Sequence, residues 1–356
     1  MTESADMNVP AEVLRAFIAD VFVAHGMPVD DASLVGKMMV EADLHGSDAH
    51  GVFRLPRYIE RLQAGGFNLN PDIRVDLEHG GLARVNGDDA IGHLVVQRCV
   101  DEALSRAQTH GISCVGCHHS NHAGAAGPWA MRAADQGMIG IYMAVGSANH
   151  MAPWGGADLL LSTNPIAIAV PGGESGPVLL DMATTNAAYG KVKMAAQRGQ
   201  TMPDDWMIDA EGNPLTDPSK ASGGSLLPIG GAKGYGLALM IGLLAGTLNG
   251  AAMGKNVVDF NYDDKSSTNT GQSMIVINPG AMGTLDLFRA EIDRIRAEIL
   301  GSRTRPGFDS IRLPGDRALL CRAERGKTGV PCPTVLLDVL GGVAADAGIK
   351  PLTDRL

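Results

Sequence analysis

Between Leu82 and Val145 the chain alternates short apolar runs with stretches of helical spacing, and few folds accept that order. A run opening at Leu82 is followed by helical spacing around Val95–Ala107 and the strand-like Ile112–Cys117. A helix around Ala125–Asp135 and the strand-like Met138–Val145 come next. This is the βαβα order of an α/β domain. Two more apolar runs, Ile166–Val170 and Val178–Leu180, and a strand at Met274–Asn278 add to the candidate sheet.

The flanks read differently. Over the first eighty residues the pattern is helical. Val13, Leu14, Phe17, Ile18, Val21 and Phe22 recur at helical spacing before Gly26, and Leu34, Val35, Met38 and Met39 share a face of a second helix ending at Gly46. A third covers about Phe53 to Ala64. The tail predicts an amphipathic helix with Leu285, Phe288, Ile292, Ile295 and Ile299 inward, and a last helix near Thr334–Ala347. Turn-rich residues 196–232 read as loop, and the uncharged stretch from Gly234 to Gly254 reads as a buried helix rather than a membrane span. Domain seams are expected near 115 and 283, with the N- and C-terminal segments packing together.

Charge and leader composition exclude several functions. The net charge of −10 disfavours nucleic acid and anionic membranes as partners, because an acidic surface repels both. The opening MTESADMNVPAEVLRAF has no apolar core of a secretory signal, and five cysteines are an odd number. A cytoplasmic protein with reduced thiols is the expectation.

Two motifs are false leads. Cys114-Val-Gly-Cys117-His118 fits a haem attachment pattern, but it lies in a strand of a chain without an export signal. His118, His119 and His122 have zinc-like spacing, but Ser120 and Asn121 favour a loop and no carboxylate lies close by in sequence. No metal is expected. The dinucleotide fingerprint G-x-G-x-x-G is absent; Gly231-Ala-Lys-Gly-Tyr-Gly236 has its glycines in reversed spacing.

Three constellations remain. His50, Arg54 and Tyr58 are four apart and, if helical, form one polar stripe suited to a small carboxylate; a solvated helix face gives the same pattern. His122, in the loop Ser120-Asn-His-Ala-Gly-Ala-Ala-Gly127, sits where α/β active sites usually lie and can exchange a proton near neutral pH. A loop histidine bonded to backbone is the bland alternative. The third group is a set of loops shaped by glycine and proline. Among them, Lys233 stands among glycines at the start of a helix, where ammonium and free N–H groups suit a pyrophosphate, and Asp181 ends a strand where it could accept from a ribose hydroxyl. Turn chemistry alone also explains these loops.

In order, D-x-x-G-x-x-x-H-G-x-x-R, N-H-x-G-A-A-G, A-P-W-G-G, T-N-P-I-A, L-D-M-A-T-T and G-G-x-K-G-Y-G-L run from about Glu12 to Gly315. Together they resemble the type 2 malate/L-lactate dehydrogenase family, which includes ureidoglycolate and sulfolactate dehydrogenases and piperideine-2-carboxylate reductases. Ala49 and His45 depart from the residues common there, Ser and Arg. The resemblance implies an α/β fold with a non-Rossmann nicotinamide-binding domain and a largely antiparallel sheet, plus a helical domain built from both termini. Residues 116–283 would bind NAD(P), and 1–115 with 284–356 would form the substrate and dimer domain of a homodimer. By position, His122 and His50 would be catalytic, and Arg54 and Tyr58 would face the substrate. Ser147, Asp181, Met182, Ala183, Lys233 and Gly315 would hold NAD or NADP, with NAD favoured. The implied activity is hydride transfer between NAD(P)H and C2 of a small 2-oxo/2-hydroxy acid. Reduction of a cyclic imine carboxylate and a non-catalytic cofactor-binding protein stay open as alternatives.

Overall fold

The structure is a computed structural model that describes residues 7–197 and 199–356. The chain enters through a short strand, β1 (Met7–Val9), and two helices, α1 (Ala11–Ala24) and α2 (Val29–Leu44). Leu14, Phe17, Ile18, Val21 and Phe22 bury one stripe of α1, as their spacing predicts. Asp30 and Asp31 lie in the first turn of α2, where the helix dipole favours carboxylates. After two 3-10 turns comes α3 (Leu55–Gln63), with Pro56 in its first turn, where no backbone N–H is needed.

The α/β part follows as β2 (Arg74–His79), β3 (Leu82–Asn86), α4 (Gly92–His110), β4 (Ile112–His118), α5 (Ala126–Ala134), β5 (Ile139–Ala144), β6 (Ile166–Val170) and β7 (Val178–Met182). Next are α6 (Tyr189–Gln197), the two-residue strands β8 (Met207–Ile208) and β9 (Ser225–Leu226), α7 (Ala232–Ala245) and β10 (Gln272–Ile277). The chain ends with α8 (Leu285–Leu300), α9 (Asp316–Thr328), β11 (Val330–Cys332) and α10 (Thr334–Ala347).

Seven strands form one sheet in the order β2-β3-β4-β10-β5-β6-β7. Only β3 and β4 pair in parallel; every other neighbouring pair is antiparallel. Helices α4 and α5 cover one face through Val95, Cys99, Val100, Trp129 and Ala130, packed on Val115, Cys117, Met274 and Val276. A second core joins both ends of the chain: α1, α2 and α3 pack with Val330 and Cys332 of β11 and Leu337, Leu340 and Ala344 of α10. Strand β4 runs across residue 115, so the sheet draws on both sides of the seam expected there. No helix among the described residues is long and apolar enough to cross a membrane.

Three expectations need correcting. Residues 74–79 form strand β2 rather than helix; it is an exposed edge strand, so it lacks the one-sided apolar alternation that marks a strand in sequence. No residue of α8 is buried, although its apolar positions keep helical spacing. Helix α7 is buried only along Gly234, Ala238, Ile241, Gly242 and Ala245, while Leu237, Met240, Leu243 and Leu244 face outward.

Candidate active site

The stripe of His50, Arg54 and Tyr58 is not one helix. His50 and Arg54 end successive 3-10 turns, Asp48–His50 and Val52–Arg54, and Tyr58 lies inside α3. Asp43, buried near the end of α2, pins this double turn by accepting from the Val52 N–H at 2.9 Å. A Cβ on Gly51 would stand 1.8 Å from Asp43 Oδ1, so only glycine lets the carboxyl in. Burial pushes that carboxyl up to about 8, opposed by the Val52 bond and the Arg325 guanidinium. Arg325 of α9 also donates to the Asp43 carbonyl and pairs with Asp48, so the end of the chain clamps the start of the site.

The loop carrying His122 joins β4 to α5. Its rigidity comes from Asn121, buried, which donates to the Ala90 carbonyl at 3.0 Å and accepts from Thr268 Oγ1 at 2.9 Å. Trp129 Nε1 adds a bond to the Ala123 carbonyl at 2.8 Å. These contacts bring His122 Nδ1 within 2.5 Å of Tyr58 Oη. The His50 ring stacks beside His122, with centroids 5.6 Å apart and 14° between planes, and Phe260 closes another side at 5.4 Å. Behind them His93 meets the Tyr58 ring at 5.5 Å, and among the described residues neither of its ring nitrogens has a hydrogen-bond partner.

Crowding and burial keep these imidazoles neutral. Desolvation, then the Arg54 guanidinium, brings His50 down to about 4. Desolvation and His50 bring His93 to about 3. His122 is held well below its ordinary range by burial first, then by His50, Arg54 and His93. Burial drives the Tyr58 phenol upward, so it stays protonated.

Arg54 supplies the charge. Its Nε donates to the Ala49 carbonyl at 3.0 Å and its Nη1 to Asn261 Oδ1 at 3.3 Å. Among the described residues it has no carboxylate partner. A half-buried guanidinium aimed by neutral acceptors is ready for a small carboxylate.

The residues expected to hold a cofactor are more spread out. Asp181, on β7, accepts from the Gly127 N–H in the first turn of α5 at 2.9 Å, and burial raises its carboxyl. Met182 and Ala183 follow, half-buried. Gly315 lies against the same strand: it has φ of +87°, and a Cβ there would meet the Leu179 carbonyl at 2.5 Å. Leu179 N–H in turn donates to the Pro314 carbonyl at 3.3 Å. The Ser147 carbonyl accepts from the Phe260 N–H at 2.9 Å, which ties that segment to the ring beside His122. Lys233 stands apart, exposed in the first turn of α7, and no hydrogen bond or ion pair among the described residues joins it to the others.

Sequence reasoning missed Asp43, His93, Phe260 and Asn261. Asp43 is the opening Asp of the D-x-x-G-x-x-x-H-G motif, a signal that could have found it; the other three sit in no motif and no period. His118 and His119 leave the site: each pairs with an aspartate, Asp76 at 2.8 Å and Asp89 at 3.1 Å. No group of three or more His, Cys, Asp or Glu among the described residues could hold a metal ion.

Known proteins carry the same pattern. Residues 9–341 match the family described as malate/L-lactate dehydrogenase. A malate dehydrogenase of Pyrococcus horikoshii is 38% identical over 354 residues, covering 97% of each chain. A ureidoglycolate dehydrogenase (NAD(+)) of Escherichia coli is 35% identical over 309 residues, covering 87% of this chain and 88% of the relative. The solved sulfolactate dehydrogenase of Methanocaldococcus jannaschii superposes with a TM-score of 0.91 at 34% identity, over 98% of this chain and 99% of the other. A motif series, a mostly antiparallel sheet and near full-length likeness agree, and the chain belongs to the malate/L-lactate dehydrogenase family.

Proposed function

We propose that this protein catalyses reversible hydride transfer between NAD(P) and C2 of a small 2-hydroxy acid, giving the 2-oxo acid. The observation that carries this reading is His122 Nδ1 held 2.5 Å from Tyr58 Oη, beside a half-buried Arg54 with no carboxylate of its own. Together they offer a proton-transfer group and an anion anchor on one wall.

A nicotinamide held by these residues would supply the hydride acceptor and donor for C2. Arg54 binds the substrate carboxylate and fixes C2. Tyr58 occupies Nδ1 of His122 and so leaves Nε2 to face the substrate. The neutral ring, its Nδ1 beside Tyr58 Oη and the Gly124 N–H, takes the hydroxyl proton as the alcohol is oxidised. In reduction the protonated ring returns it to the developing alkoxide, and His50, stacked beside it, supports the transfer. Phe260 and the surrounding apolar core exclude water.

The cofactor residues fit a dinucleotide. Helix α7 has no side-chain cap, so its first N–H groups, with the unpaired Lys233 ammonium, suit a pyrophosphate. Asp181 and Met182 on β7, Ala183 just after it, the Gly315 turn beside them, and Ser147 next to Phe260 complete the set. In this reading residues 116–283 hold the cofactor with Gly315 the exception, while 1–115 and 284–356 shape the substrate side. NAD is the favoured carrier, the cytoplasm the working compartment, and a homodimer the assembly. The relatives' names favour a hydroxy acid over a cyclic imine as substrate.

The test is the loss of NADH and NADPH absorbance against a panel of 2-oxo acids and cyclic imine carboxylates. Turnover with the 2-oxo acids supports the reading. Turnover confined to cyclic imines replaces it with imine reduction, and a protein that binds neither cofactor overturns it.

A further inference from the structure

The Cys114-Val-Gly-Cys117-His118 stretch, which attaches no haem, has a use inside the sheet. Cys117 on β4 stands directly opposite Gln272 on β10 in the antiparallel register, so both side chains leave the same face. Both are buried. Along β10, Gln272, Met274 and Val276 share that face, and Met274 and Val276 belong to the core under α4 and α5. A glutamine therefore breaks an apolar stripe at the end of the strand nearest His122.

Its amide is fully engaged. The Cys117 thiol donates to Gln272 Oε1 at 2.8 Å, and Gln272 Nε2 donates to the Asn121 carbonyl at 2.9 Å. The partners fix the amide's orientation: a carbonyl only accepts, so Nε2 must face Asn121, and the thiol proton then meets Oε1. A satisfied buried network of this kind specifies one arrangement.

The Asn121 carbonyl belongs to the planar peptide unit that carries His122. Holding its oxygen holds the plane from which the His122 side chain departs. A Cβ on Gly92, the first residue of α4, would stand 2.0 Å from that oxygen and 2.6 Å from the His122 carbonyl, so the helix start closes on the same peptide. One residue back, the Ser120 carbonyl accepts from Thr270 N at 2.8 Å and from Thr268 Oγ1 at 3.0 Å. The segment entering β10 thus holds both carbonyls that precede His122. Arg54 is oriented by other partners, the Ala49 carbonyl and Asn261.

We propose that Gln272, oriented by the Cys117 thiol, is a positioning residue for His122, setting the imidazole against Tyr58 Oη through the Asn121 carbonyl. This rests on the hydride-transfer reading and extends its proton-transfer part to residues that do not touch the substrate.

The experiment measures kcat and KM with the best acid of the panel, and the NADH Kd by fluorescence. In Gln272→Leu, kcat should fall about ten-fold or more, because a small misplacement of the proton-transfer group is costly. The KM and the NADH Kd should stay within about two-fold, since Arg54 and the cofactor residues are held elsewhere. Gln272→Glu supplies a pH signature. While neutral, the introduced carboxyl donates its O–H to the Asn121 carbonyl and accepts from Cys117, as the amide does. Once ionised it turns lone pairs on that carbonyl, so kcat should show an alkaline fall that an amide cannot give. Cys117→Ser keeps a donor and should keep kcat, whereas Cys117→Ala should lose part of it. Unchanged kcat in Gln272→Leu overturns the proposal, as does a joint rise of KM and NADH Kd, the mark of a loosened fold. Should Gln272→Leu not fold, a Gln272→Glu profile parallel to that of wild type overturns it instead. A wild type that turns over none of the acids removes the hydride-transfer reading and leaves the geometry to spectra of 15N-histidine protein. There the ring signals of His122, assigned by their loss in His122→Ala, should shift in Gln272→Leu; unmoved signals overturn the positioning as well.

Discussion

His50, His93 and His122 are kept neutral by the burial that brings them together, and that has a cost in acid. An unfolded histidine takes its proton near pH 6.5, whereas folded His93 does so only near 3. The unfolded chain therefore binds more protons between these values. The stabilisation is complete above pH 6.5 and drains away as pH falls toward 3. At pH 5, His93 alone should have cost about 2 kcal/mol relative to pH 7.5, at about 1.4 kcal/mol per pH unit. Urea unfolding at the two pH values should show that loss, and His93→Leu should remove His93's share of it; an equal loss in the variant would mean the imidazole is not held neutral. The same sign governs catalysis. His122 is the base form at neutral pH, so kcat/KM for alcohol oxidation should fall only in an acid limb centred below 6.5. His122→Ala should lower turnover by roughly 10²–10⁴-fold, and near-normal turnover would strip it of the role. His122, His50 and Arg54 were legible because each stands in a motif, and Tyr58 because it continues the four-residue spacing of His50 and Arg54. Phe260 and Asn261 were not, because they arrive from a loop whose path is set by Arg57 and Arg61 bonding to the Phe260, Asp263 and Ser266 carbonyls, contacts over about two hundred residues apart that no local pattern records.

The double 3-10 turn is the element on which the site depends. Gly51→Ala would drive a methyl group into the Asp43 carboxyl, so the turn must shift and take His50 and Arg54 with it. The expected result is a destabilisation on the order of 2–4 kcal/mol and a matching loss of kcat/KM. Asp43→Ala removes the obstacle, so the double variant should be less damaged than the two single losses added together. Strict additivity would show that Gly51 is needed for some other reason. The turn from Leu313 to Gly315 offers a second case: at φ +87° and against the Leu179 carbonyl, Gly315→Ala should displace the turn from β7. A fluorescence titration should then give a weaker Kd for NADH, and an unchanged Kd would remove this turn from the cofactor site. Elements were legible where apolar residues mark a covered face, as in α1, β6 and the helix over Val95–Ala107. Helix α9 was missed because it has no covered stripe. Charges hold it instead: Arg322 to Glu41 at 3.0 Å, Arg325 to Asp48, and Asp316 to Arg296 at 2.7 Å. In α8 the apolar stripe was read correctly as a stripe, but spacing does not tell which surface covers it.

At the scale of the molecule, what stands out is apolar surface that no described residue covers. Helix α7 turns Gly234, Ala238, Ile241, Gly242 and Ala245 inward and leaves Met240 50% and Leu244 45% exposed, with Leu248 at 65% just beyond its end. A contiguous apolar face of this kind is costly unless another surface meets it. A second copy is the simplest cover, because a two-fold pairing lets the same face serve both partners. The first turn of α7 also carries Lys233, so whatever fixes the outer face of the helix fixes a residue of the proposed cofactor set. Two effects should therefore appear together. Met240→Glu with Leu244→Glu should shift sedimentation from two chains to one and should weaken NADH binding, although neither substitution lies in the proposed cofactor set. A variant that dissociates with unchanged NADH affinity would separate the pairing from the site, and a wild type that sediments as a single chain at micromolar concentration would leave the α7 face without the partner argued for it.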